Sequence, residues 1–454
     1  MTGAVSIDGG RPLQHYITRL LYAVVLVMPL HPWLGDALVI IALLLSVWDT
    51  LRYRPLSKPA SWLQWCVLGF MGWSLLSALG SARPMWTTAS WLYNVGMYGG
   101  IYFLTYRYLR EPEQWRVFLR IFMWSAFIVC LVGVYQYMTT SMELLKQWVD
   151  AAHFPLLKRR MFATLQNPNL FGEYLLIVLS MVGTGIFQGL KEKRWRLLAW
   201  MVLMALFFLI CMTLTYSRGI WLSFACVVVY WGLTIDRRLL LSLLIIPIVL
   251  FGYHGEVASR LWSLFDGNDT SAVLRWALWD STTYMIADYP ILGIGWDAFW
   301  FEYPHYNYYI QAPDVIIYHA HNMFLNMLAE IGIPGALFYF VAIYGHAVYA
   351  LRLPKATISN IVKYGIGAVV VGITVSGLFD HDLFSHQVSV IFWQLLGWAS
   401  SVLYTYKKRG NKPLENELTT DIKKLIYSIS KLIRVLTKVA VINRQTLIYW
   451  IEIF

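Results

Sequence analysis

Apolar residues crowd this chain into runs separated by short polar breaks. Twelve runs reach or approach the roughly 17–25 residues that cross a bilayer as a helix. They fall near 17–33, 34–50, 62–80, 90–106, 117–139, 166–188, 197–215, 217–234, 238–253, 322–350, 361–380 and 386–406. The first two are joined by His31-Pro32-Trp33-Leu34-Gly35, a turn-like break. The pattern predicts an all-α integral membrane protein of about twelve transmembrane helices. Composition agrees: 13% of the 454 residues are charged, about half the share usual in a soluble domain. No cleavable signal peptide is expected, because residues 1–16 are polar and end without a small-residue cleavage site, and the first apolar run leads straight into more spans.

Two stretches break the rhythm. Residues 254–321 form the longest gap between runs and are rich in Trp, Tyr and Pro, which predicts a structured loop. Within it Val273, Leu274, Ala277, Leu278, Ser281, Tyr284 and Met285 recur at helical spacing, so 271–287 reads as an amphipathic helix on the membrane face or over a cavity. After 406, an apolar stripe with interleaved lysines reads as a basic interfacial helix. The domain reading is therefore helices one to nine in 1–253, the loop 254–321, helices ten to twelve in 322–406, and a basic tail 407–454.

Charge then orients the chain. All but eight of its 36 Lys and Arg fall on one side of the alternating spans, which predicts cytoplasmic termini. The net charge of +11 thus reports orientation and anionic lipid, not nucleic acid. The eight exceptions are Arg83, Lys146, Lys158, Arg159, Arg160, Arg218, Arg260 and Arg275. The four cysteines lie inside apolar runs, with no CxxC or zinc spacing, and read as buried hydrophobes.

Some outward residues carry candidate chemistry. Arg218 follows Ser217 at the start of a span, where a snorkelling arginine and an anion ligand are both open readings. Arg159 and Arg160 precede Asn167-Pro168-Asn169, a helix start with Asn167 or Asn169 as cap. Arginines beside a helix N-terminus suit a phosphate, though ordinary loop charges remain open. Arg275 sits on the loop helix. His319 and His321 are two residues apart, so they do not share a helix face and have different jobs. A neutral histidine there can take a proton from a hydroxyl; a metal ligand or a structural histidine is the rival. The loop's lack of cysteine disfavours zinc. The Pro290–Phe299 stretch carries a Gly-x-Gly but no surrounding βαβ pattern, so it is not a nucleotide fingerprint. Glu330-Ile331-Gly332-Ile333-Pro334-Gly335 predicts a break in the tenth span lining a cavity. Asp380-His381-Asp382 and His386 read as a polar turn.

These pieces, in this order, resemble the O-antigen ligase/polymerase superfamily of bacterial membrane glycosyltransferases. The matching elements are Arg159-Arg160 with Asn167-Pro168-Asn169, Thr215-Tyr216-Ser217-Arg218-Gly219, Arg275, Pro290 to Phe299, His321-Asn322 and Glu330 to Gly335. The resemblance spans roughly residues 15–405. It implies inverting, metal-independent transfer of a glycan from undecaprenyl diphosphate to a hydroxyl, with no cofactor. It further implies a multi-pass protein of the bacterial inner membrane, with the site on the periplasmic face. The most similar branch is the ligase, whose acceptor is the lipid A core. A polymerase or a protein O-oligosaccharyltransferase is the alternative within the superfamily, and an anion transporter the alternative outside it. The resemblance puts catalytic roles on His321, Arg218 and Arg275. Diphosphate binding is expected of Arg159, Arg160, Asn167, Asn169 and His319.

Overall fold

The computed structural model describes residues 10–53, 61–139, 159–244, 257, 270–308 and 316–409. The basic tail helix, Lys146, Lys158, Arg260 and most of the ninth apolar run lie outside them. The described residues up to Tyr404 form one compact unit.

Among the described residues every regular element is helical. The long helices are α1 (Gly10–Val27), α2 (Pro32–Arg52), α3 (Trp62–Leu76), α4 (Pro84–Tyr93), α5 (Val95–Tyr108), α6 (Pro112–Thr139) and α7 (Pro168–Lys191). They continue with α8 (Trp195–Thr213), α9 (Arg218–Thr234), α10 (Thr270–Asp288), α11 (Met323–Ala350), α12 (Thr357–Ser376) and α13 (His386–Arg409). Eight of these stretches are long and apolar enough to cross a membrane, and α9 is a shorter apolar helix. The protein is a multi-pass helical bundle. The predicted run at 90–106 differs from one unbroken span, because Asn94 separates α4 from α5.

Burial sorts the helices. In α13, 89% of the apolar window is buried, against 28% in α2, so α13 runs through the centre and α2 faces outward. The helices with exposed Leu, Ile and Trp need an apolar surrounding to cover them, as a bilayer does. Within the unit α3 packs on α11, α7 on α8, and α9 on α12. Trp393 of α13 stacks on Phe70 of α3 at 5.6 Å between ring centroids, which fixes the central contact.

The loop helix forms over Thr270–Asp288, close to the predicted 271–287. Its apolar stripe splits, however. Leu278 and Met285 are buried in a small core with Ile294, Phe299, Tyr303, Ala320 and Ala329, while Val273, Leu274 and Tyr284 stay exposed. The packed face docks the loop onto α11; the other apolar face is left outward, which a single-stripe reading does not anticipate.

The break in α11 is real and has a clear cause. Gly332 adopts φ 65 and ψ 178, a conformation reserved for glycine. The carbonyls freed by the break are taken up by the Pro290–Phe299 segment. Ile294 N–H donates to Ala329 O and Gly295 N–H to Glu330 O, both at 2.9 Å, and Ile333 N–H returns a bond to Pro290 O at 2.8 Å. A side chain on Gly293 would strike the Glu330 backbone, and one on Gly332 the Ile291 carbonyl. The two glycine-containing motifs are thus halves of one clasp.

Candidate active site

Four segments converge at one end of the bundle: the start of α7, the start of α9, the start of α11 and the turn after α12. Capping explains why each helix begins where it does. Asn167 accepts the Asn169 N–H at 2.8 Å at the head of α7, with Pro168 in the first turn. Asn322 caps α11 by accepting from Phe324 N at 2.9 Å and Leu325 N at 3.0 Å. Its amide also donates to Leu378 O at 3.1 Å, tying α11 to the turn after α12.

At that junction His321 Nδ1 lies 2.9 Å from Asp380 Oδ1. Asp380 also accepts from its neighbour His381 N–H at 2.9 Å, and from Asn169 Nδ2 at 3.0 Å. Burial alone would raise the Asp380 carboxyl, but the His321 hydrogen bond and the nearby His321, His319 and Arg275 charges outweigh it. They hold the carboxyl well below the usual carboxylate range. An ionised Asp380 makes His321 Nδ1 the donor, so in neutral His321 the Nε2 nitrogen carries the lone pair. The backbone supports this posture: His321 has φ 47, a left-handed conformation uncommon outside glycine.

His319 is set the opposite way. Its Nδ1 accepts the His321 backbone N–H at 3.2 Å, which leaves the ring proton on Nε2. Burial pushes its pKa well below the ordinary histidine value, with the His321, His381 and Arg275 charges adding to the fall. The ring centroids of the two histidines are 4.3 Å apart. With both rings neutral, one imidazole presents a base and the other a hydrogen-bond donor, a concrete form of the expectation of different jobs.

The arginines divide. Arg160 donates to Thr215 O at 2.8 Å and to Asn169 Oδ1 at 2.9 Å, so it joins the site through the Asn169 amide. Arg159 instead donates to Tyr137 O at 2.9 Å, one of the last carbonyls of α6. It closes a helix C-terminus, a structural task. Asn167 is occupied as a helix cap, and Asn169 bridges Arg160 to Asp380. Arg275 acts electrostatically on both His319 and Asp380, which brings α10 to the site. Arg218 opens α9 after Tyr216, another left-handed residue at φ 52. A Cβ built on Gly219 would lie 3.8 Å from Phe379 Cβ, so the head of α9 abuts the segment that carries Asp380.

Side-chain ligand atoms of His319, His321 and Asp380 lie within 4.8 Å of one another, close enough for a metal ion. Their chemistry suits a hydrogen-bonded site better. Both Asp380 oxygens and His319 Nδ1 already accept protein N–H groups, and Arg275 adds positive charge beside them.

Residues 202–340 match the family model Wzy_C, O-Antigen ligase. The match supports the O-antigen ligase/polymerase superfamily. Members of this family are membrane glycosyltransferase-like enzymes, and the family implies lipid-linked glycan substrates. The matched stretch runs from within α8 to within α11 and contains Arg218, Arg275, His319 and His321. Arg160, Asn169 and Asp380 lie outside it, yet the fold places Asn169 and Asp380 in the same hydrogen-bonded chain as His321. No curated protein matches the chain.

Asp380 is the residue that sequence reasoning undervalued. The Asp380-His381-Asp382 cluster is visible in the sequence but indistinguishable there from a polar turn. His386 belongs elsewhere, bonded to Asp36 Oδ1 at 2.7 Å and Asn94 Oδ1 at 3.0 Å.

Proposed function

We propose that this protein transfers a glycan from undecaprenyl diphosphate to an acceptor hydroxyl, with inversion and without a metal. The observation that carries the reading is the His321–Asp380 pair at 2.9 Å, which orients an imidazole as a general base next to a cluster of arginines. The acceptor oxygen attacks the anomeric carbon of the donor sugar as its proton moves to His321 Nε2. The bond from that carbon to the diphosphate oxygen breaks, and the electron pair leaves with the diphosphate. Arg275 and Arg218 stabilise the charge that grows on the leaving group. Arg160 holds Asn169 and through it Asp380, and His319 offers its Nε2 proton to a diphosphate oxygen. The carrier's prenyl chain needs an apolar path, which the exposed helix faces supply.

The ligase branch is the reading adopted, with lipid A core as acceptor and the reaction on the periplasmic face of the inner membrane. Purified protein, a lipid-diphosphate glycan and core acceptor should give product in the presence of a chelator. Variants Arg218→Ala, Arg275→Ala and His321→Ala should each lose it at normal abundance; full transfer by all three would sink the assignment. In a deletion strain, loss of every long chain from lipid A core with lipid-linked polymer accumulating marks the ligase. A core carrying one repeat unit would instead mark a polymerase.

A further inference from the structure

A cavity of about 130 Å³ lies beside this machinery, with Trp296, Asp297, Glu330, His381 and Phe384 among its walls. Three of these residues carry a buried polar atom with no hydrogen-bond partner: Glu330 Oε1, Trp296 Nε1 and His381 Nδ1. The residues are only 2%, 7% and 4% exposed. Asn326 and the Phe299 backbone lie against the Glu330 carboxylate, but Oε1 itself stays without a hydrogen bond. A buried polar atom without a hydrogen-bond partner is costly. Three around one hole mark a place shaped for a polar occupant.

We propose that this cavity is a subsite for one sugar ring of the acceptor, an inference that rests on the transfer reaction proposed above. The cavity is partly open, so it seats one edge of a sugar ring rather than enclosing the whole, since an enclosed cavity of about 150 Å³ holds only a molecule like benzene. The lining suits a polyol: Asp297 and Glu330 accept, the Trp296 N–H donates, and Phe384 offers an aromatic wall to C–H groups. Charge sorts the two substrates. Among the described residues no Lys or Arg lines the cavity, whereas Arg275 acts directly on Asp380 and His319, so the positive charge that a diphosphate needs lies on the histidine side. The position also fits. His381 and Phe384 pack on His319 with ring centroids 5.7 and 4.7 Å apart, and His319 in turn packs on His321. A ring in the cavity is two side-chain rings from the base, so it anchors the acceptor beside the sugar whose hydroxyl reacts.

The test uses the full-length protein and three near-isosteric variants, Asp297→Asn, Glu330→Gln and Trp296→Phe. Asparagine tolerates the left-handed backbone that Asp297 adopts at φ 58. Each variant should raise the acceptor KM roughly ten-fold or more, with the donor KM unchanged. Should Glu330→Gln fail to accumulate, Trp296→Phe carries the test, because it removes only the indole N–H and keeps an aromatic wall. Saturation-transfer NMR with the delipidated core oligosaccharide measures binding without transfer. Binding retained by His321→Ala and lost in Glu330→Gln and Trp296→Phe supports the subsite. Binding indifferent to both cavity variants, or a rise in donor KM alone, overturns it and leaves the cavity to water. Oligosaccharide binding without any transfer by the wild type would overturn the reaction and not the subsite.

Discussion

At the His321–Asp380 pair both carboxylate oxygens have a donor, while at Asp297 and Glu330 one buried oxygen has none. The two clusters are neighbours, joined through the rings of His319 and His381. The first is complete within the protein: Arg160 holds Asn169, Asn169 holds Asp380, and Asp380 holds His321. Such a chain fixes a tautomer before substrate arrives, so little reorganisation remains for the reaction itself. The second is complete only with something in the cavity. Preorganised chemistry and unfinished recognition thus sit side by side, and a substitution should betray which kind of cluster it touches.

The largest effect belongs to the first cluster. His321→Ala should lower the transfer rate by about 10²–10⁴-fold, the range of a lost general base, with the melting midpoint nearly unchanged. Asp380→Asn comes next. It can offer an amide N–H to Nδ1 and favour the wrong tautomer, so kcat should fall by at least roughly 10²-fold while both KM values hold. If Asp380→Asn kept full activity, the preorganised half of the comparison would collapse. Gly332→Ala probes the clasp beside Glu330. Its φ of 65 is forbidden to alanine at that ψ, and its Cβ would meet the Ile291 carbonyl. A loss of about 3 kcal/mol is expected, read as a lowered thermal midpoint in detergent.

The pH dependence of stability is a gentler probe of the same region. Burial pushes His381 down to about 3 from 6.5, and His319 in the same direction. Between those values the unfolded chain takes up protons that the folded chain refuses, so stability falls as pH drops below about 6.5. The melting midpoint should decline from about pH 7 to about pH 5, and His381→Asn should flatten that decline. The smallest effect is expected of Arg159→Ala, which removes a helix-end contact worth about 0.5–1 kcal/mol and should leave both KM values alone. Arg160→Ala, one residue on, should lower kcat, because it loosens the Asn169 amide that holds Asp380. Equal kinetics for these two neighbours would erase the distinction drawn between them.

That pair also shows where sequence reasoning reaches its limit. Arg159 and Arg160 carry the same charge in the same loop, and only the carbonyls they meet, Tyr137 O and Thr215 O, separate their roles. Eight membrane-length helices among the described residues, of the twelve spans expected, were legible because apolar runs report their own burial. The break at Gly332 was legible because glycine and proline are local signals. The clasp that satisfies the break was not, since the Pro290–Phe299 motif and the Glu330–Gly335 motif are read separately until the chain folds. Asp380 looked like a turn residue because its meaning depends on a histidine 59 positions away. Asn94 passed as an ordinary polar residue inside an apolar run, although it divides α4 from α5 and lines the cavity.

The separation of His321 from Asp380 has a consequence for how the protein is made. His321 stands just before α11 and Asp380 just after α12, so the two meet only when that helical hairpin is complete. During synthesis the base emerges first and its orienting carboxylate two helices later. A chain halted between them carries every arginine of the site and the histidine, but no group to hold that histidine in its working tautomer. Competence for the proposed transfer therefore arrives only once α12 and the turn after it are in place.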